Sequence, residues 1–152
     1  MDPKFLGMIG AGLVMGISSL GAALSMGIAG AATIGAWKRC YKANKPAPMT
    51  LLAFVGFPLT EVFYGYILMN AMLSNLLKAD AAFSPAKGGL YLATGIGAGA
   101  AIALTAIAEG WAGAAAADAI TDTGKGFANC IAIVGICETV ALFVMVLSMI
   151  SL

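Results

Sequence analysis

"AIVGICETVALFVMVLSMI", residues 132–150, is an almost unbroken apolar run long enough to cross a bilayer, yet it carries one acidic residue, Glu138, near its middle. An ionised carboxylate in hydrocarbon is strongly unfavourable even after local bilayer thinning, and Glu138 lies too far from either end of the run to snorkel out. It must be paired, protonated or holding an ion.

The rest of the chain has the same character. Its 152 residues are 61% hydrophobic and 10% charged, with a mean hydropathy of +0.97, which leaves too few polar residues to cover a soluble domain. Apolar stretches at 5–37, 49–77, 88–117 and 126–150 each suffice to span a hydrocarbon core of about 30 Å at about 1.5 Å per residue. The chain therefore reads as an all-α, multi-pass integral membrane protein with four transmembrane helices. The first stretch begins like a secretory signal peptide. Its apolar run is too long for one and a copy of it recurs later, so it is expected to stay in the mature protein.

Lys38, Arg39, Lys42 and Lys45 give the first connection four positive charges and no negative one; the second holds Lys78, Asp80 and Lys87, and the third Asp118, Asp122 and Lys125. The positive-inside bias places the first connection in the cytoplasm, hence the third as well, and both termini outside. A net charge of +1 gives no basis for nucleic-acid binding. Cys40, Cys130 and Cys137 form no Cys-x-x-Cys pair and there is no histidine, so they read as plain thiols. Gly124-Lys125-Gly126 lacks the Ser or Thr and the preceding glycine of a phosphate loop, which assigns any nucleotide chemistry to another chain.

The sequence also repeats itself. A shift of 83 residues sets "AALSMGIAGAA" (22–32) on "TAIAEGWAGAA" (105–115), with Gly12 over Gly95 and Gly16 over Gly99; a shift of 79 sets "AFVGFPLT" (53–60) on "AIVGICET" (132–139). The chain is read as two tandem hairpins, 1–80 and 81–152, the second carrying the main carboxylate. Helices one and three are rich in Gly and Ala, which let membrane helices approach closely where lipid supplies no hydrophobic drive. Helices two and four are bulky. A crowded inner row and a bulky outer row point to a ring or a barrel-like stack of hairpins.

Three glutamates lie inside the spans: Glu61, Glu109 and Glu138. Thr60 and Thr139 each adjoin one of them, Tyr64 shares a helix face with Thr60, and Pro58 one turn before Glu61 disturbs the local carbonyl ladder. Carboxylates, a hydroxyl and a displaced carbonyl suit a hard cation or a proton rather than a soft metal. Three ionised carboxylates at close range repel, so at least one is expected to hold a proton unless a cation binds.

Through "FPLTEVFYG" (57–65), "IAEGWAGAAAA" (107–117) and "ICETVALF" (136–143), the chain resembles the duplicated-hairpin proteolipids of rotary ATPases, which form the membrane rotor of bacterial V-type and A-type enzymes. The resemblance implies a non-catalytic ring subunit that carries Na⁺ or H⁺, with Na⁺ slightly favoured, and holds no organic cofactor. It implies an ion site of Glu138, Thr60, Glu61, Glu109 and the backbone carbonyl of Phe57, with Tyr64 bonded to Glu138 and Pro58 and Thr139 in support. Glu61 and Glu109 stand where sodium-binding relatives usually have glutamines. Leu59 and Met26 stand at the first hairpin's equivalents of Glu138 and Glu109, so one site per chain is expected, an economy that suits a pump. The implied partners are further copies in a homo-oligomeric ring, a stator subunit with an arginine, central stalk subunits at the loops near 38–48 and 118–125, and lipid; the implied place is a bacterial or archaeal plasma membrane. The rival readings are a small proton-coupled four-helix transporter and a structural or pore-forming proteolipid.

Overall fold

The computed structural model describes residues 2–78 and 83–152; the expected hairpin boundary at 80/81 and Asp80 fall outside them. Four long helices account for nearly all of the described chain: α1 (Pro3–Lys42), α2 (Met49–Lys78), α3 (Pro85–Thr123) and α4 (Phe127–Ser151). All four are long and apolar enough to cross a membrane. Among the described residues there is no strand.

Local chemistry sets the helix ends. Asp2 caps α1 by accepting from the Lys4 N–H at 2.9 Å, and Ser84 caps α3 by accepting from the Lys87 N–H at 3.3 Å, each just before a proline. Between α3 and α4 the chain turns through Gly124 (φ 67°) and Gly126 (φ 88°), left-handed conformations that a side chain disfavours. α1 and α3 run further than their apolar stretches suggested, to Lys42 and Thr123, because a charged side chain ends hydropathy without ending the backbone ladder. The connections expected near 38–48 and 118–125 are correspondingly shorter. At 40 and 39 residues these two helices are each roughly 60 Å long. They therefore project well beyond the hydrocarbon.

α1 and α3 lie side by side in the same direction and make the most extensive contact in the chain. Along this seam Gly10 meets Gly95 backbone to backbone, Gly99 meets Val14, Gly21 meets Ala103, and Gly110 meets Ser25. A Cβ built on Gly95 would overlap the backbone of Gly10, and one on Gly110 would stand 2.6 Å from the Ser25 hydroxyl. Van der Waals contact at this range is what lipid cannot offer, and it holds the pair together. α2 then packs Leu68, Met72 and Leu76 into a cluster with Ala11, Val14 and Tyr91. A second cluster joins Leu51 and Phe54 of α2 to Ala36, Ala117 and Val134. α4 is covered least, with 11% of its most apolar window buried.

Not every glycine of the repeat is used alike. Gly95 and Gly99 are buried, whereas their counterparts Gly12 and Gly16 meet nothing within 4 Å. At one end of the seam Arg39 pairs with Asp118, and its Nε lies 3.7 Å from Asp122, tying α1 to α3 where both leave the apolar zone.

Replacing Gly95 by Ala is expected to lower the stability of the detergent-solubilised single chain by ~1–3 kcal/mol through overpacking. Gly97→Ala, facing open space, is expected to be neutral or to gain up to ~1 kcal/mol from helix propensity. Thermal melts of the two variants against wild type check the contrast.

Candidate ion-binding site

The site begins at a break in α2. Pro58 has no N–H to donate, so the helix tightens into a 3₁₀ turn over Phe57–Leu59 before resuming at Thr60. The backbone N–H of Thr60 reaches the Phe57 carbonyl, and its Oγ1 donates to the same oxygen at 2.8 Å. That hydroxyl also lies 3.3 Å from Glu61 Oε2. The proline was expected to displace a carbonyl of this stretch from the ladder, and the resemblance singles out that of Phe57. That carbonyl has left the regular ladder but already accepts two donors from Thr60.

One turn further, the Tyr64 hydroxyl donates to Glu138 Oε1 at 2.7 Å and bridges α2 to α4. Glu138 is partly buried, whereas Glu61 and Glu109 are fully enclosed. The Glu61 and Glu109 carboxyls lie within hydrogen-bonding reach of each other, so a proton on either would join them; with both ionised, the two oxygens of Glu109 and Oε1 of Glu61 find no donor. Each of the three carboxyls lies within electrostatic range of the other two. The structure thus brings together Thr60, Glu61, Tyr64, Glu109 and Glu138, with Phe57 joined through Thr60. Thr139 stands apart: it is exposed and its Oγ1 donates to the Ile136 carbonyl at 2.7 Å.

The donor set is all oxygen and carries more negative than positive charge, since every Lys and Arg stands at a helix end or in a connection. Among the described residues no group of three or more His, Cys, Asp or Glu side chains is arranged to hold a metal ion. An ion held here would draw on hydroxyl and carbonyl oxygens beside a carboxylate, which is the chemistry of a hard, exchangeable cation or a proton.

One supporting contact escaped the sequence reading. The buried Ser25 hydroxyl of α1 donates to the Ala106 carbonyl, one turn before Glu109, and fixes the height of α3 against α1. The available signal was the spacing of Ser18 and Ser25, two turns apart on the glycine-lined face, with Thr33 about two turns further on.

Two comparisons with known proteins bear on this chain. Residues 92–151, which include Glu109 and Glu138, match the family of the ATP synthase C subunit. The chain is also 34% identical over 110 residues to the A-type ATP synthase subunit K of Methanocaldococcus jannaschii, an alignment that takes in 72% of this chain and 44% of that protein. The chain thus spans less than half the length of that relative.

Two enclosed carboxyls facing each other are a burden on an ion-free chain, because at most a shared proton satisfies them. The double variant Glu61→Leu/Glu109→Leu is expected to be at least as stable as ion-free wild type, and by up to ~4 kcal/mol more so. Either single Leu variant is expected to be less stable than the double. Denaturation midpoints in detergent check the order.

Proposed function

Because this chain belongs, through residues 92–151, to the family of the ATP synthase C subunit, the rotor proteolipids of rotary ATPases, we propose that it is one segment of an ion-translocating membrane ring. A proteolipid of this kind performs no bond chemistry itself. The observation that carries the reading is the Tyr64–Glu138 hydrogen bond between α2 and α4, set beside the enclosed carboxyls of Glu61 and Glu109.

In this reading Glu138 is the carrier, Tyr64 orients its carboxylate, and Thr60, Glu61, Glu109 and the Phe57 carbonyl complete an oxygen site for Na⁺ or H⁺, with Na⁺ slightly favoured. Pro58 supports it by bending the carbonyl ladder toward Thr60. With no Lys or Arg within the apolar zone, cargo ions and protons must neutralise the three carboxyls before the site can face lipid. A stator arginine displaces the ion from Glu138 and so makes rotation depend on loading. One such site per chain follows from Leu59 and Met26 at the first hairpin's matching positions. The hairpins 1–80 and 81–152 are then an idle and a loaded copy. The α1–α2 and α3–α4 connections, which share one end of the structure, face the cytoplasm and the central stalk, with both termini on the far side of a bacterial or archaeal plasma membrane.

Glu138→Gln is expected to abolish cation transport by the assembled ATPase; unchanged pumping would overturn the assignment. Dicyclohexylcarbodiimide is expected to label Glu138, with Na⁺ but not K⁺ giving protection. Labelling indifferent to Na⁺ would assign the proton as cargo. Tyr64→Phe removes a hydrogen bond to a charged group, so the ion concentration needed for protection is expected to rise roughly 10- to 100-fold.

A further inference from the structure

Where α1 leaves the apolar zone, it carries a groove that no other part of the described chain fills. The groove measures about 580 Å³ and is lined by Ile34, Trp37, Lys38, Tyr41 and Lys42. At about 100° per residue these five positions fall within less than half of the circumference of α1, opposite the buried side that holds Ser25, Ala29 and Ala36. The contacts of α1 with its neighbours therefore leave the groove open, with Ile34 66% and Tyr41 64% exposed.

Its lining changes character along the helix axis. Ile34 and Trp37 stand toward the bilayer and are apolar; Lys38, Tyr41 and Lys42 follow toward the water. The Trp37 indole N–H donates to the Pro48 carbonyl at 3.0 Å, which pins the ring against the first connection and keeps the groove from closing. Trp and Tyr at the end of a span mark the level of the lipid headgroups. Lys38 and Lys42, one turn apart, are both exposed, and neither has an ion pair or hydrogen bond within the described residues. The carboxylates at this end, Asp118 and Asp122, are engaged by Arg39 instead. Two like charges four residues apart weaken a helix, and an anion placed between them reverses that effect.

We infer that this groove binds one anionic phospholipid, with its phosphate between Lys38 and Lys42 beside the Tyr41 hydroxyl and an acyl chain laid along Ile34 and Trp37. The order of the lining, apolar and then cationic, is the order of the lipid's own parts. A soluble phosphate would meet the lysines but leave the apolar wall uncovered, and a zwitterionic lipid would bring its own cation against them. The inference goes beyond the transport reading and requires only that the chain sits in a bilayer, so it stands or falls apart from the identity of the cargo ion.

The test uses the full-length chain carrying Trp111→Phe, which leaves Trp37 as its single tryptophan; Trp111 is exposed and lies on another helix. In phosphatidylcholine vesicles, brominated phosphatidylglycerol is expected to quench Trp37 fluorescence at a mole fraction roughly 25-fold below that needed with brominated phosphatidylcholine, about fivefold for each lysine. Lys38→Gln/Lys42→Gln is expected to abolish this preference. Lys45→Gln/Lys125→Gln removes as much charge from the same end of the chain, but from a different pocket, and is expected to leave the preference within twofold of its original value. Equal losses in the two double variants would reduce the attraction to diffuse surface charge and overturn the site. Equal quenching by the two lipids would overturn it as well, and quenching by neither would place the groove against protein. Relief of quenching by millimolar inorganic phosphate would assign the lysines to a soluble anion and remove the lipid as occupant.

Discussion

Everything in this chain is arranged around the approach of α1 to α3 at Gly10 and Gly95. Two helices can touch backbone to backbone only where neither carries a side chain, and in a lipid solvent such contact supplies attraction that hydrophobicity does not. Gly21 against Ala103 and Gly110 against Ser25 hold the same separation along the seam. With that distance set, the height of Glu109 follows from the Ser25 bond to the Ala106 carbonyl one turn before it. α2 and α4 lean on this pair from outside, and the Tyr64–Glu138 bond joins them.

The candidate site is thus shared among elements of unequal firmness. Glu109 rides on the best-packed helix, Glu61 on a helix broken by Pro58, and Glu138 on the least-covered helix. Fully enclosed carboxyls with unmet oxygens are tolerated in a protein interior only where another requirement outweighs the loss. Here the two enclosed groups lie close to the one that remains partly accessible, and on the proposed reading it is this accessible carboxyl that exchanges its proton or ion.

Hydropathy made the four spans and the all-helical fold legible, and their residue types alone marked Glu61, Glu109 and Glu138, because an acidic residue in an apolar run has few explanations. Adjacency to a glutamate was a poorer guide. Thr60 bonds Phe57 across a proline turn, while Thr139, set in a regular helix, bonds its own preceding turn and faces outward. The helix ends were read short because Lys38 and Asp118 end an apolar run without ending a hydrogen-bond ladder. The use of Gly95 but not Gly12 in the seam was out of reach of the repeat, since aligned sequences share composition and not orientation.

The break at Phe57–Leu59 gives α2 a mechanical property that its three neighbours lack. A continuous α-helix transmits twist along its length, whereas a stretch of 3₁₀ geometry at a proline has a weaker ladder and yields first. The portion of α2 beyond Thr60, which carries Glu61 and Tyr64, can therefore swivel a few degrees while Leu51 and Phe54 remain clamped. If the chain works as the proposed rotor segment, a tangential load applied at Glu138 would pass through Tyr64 into this joint before it reached the α1–α3 hub.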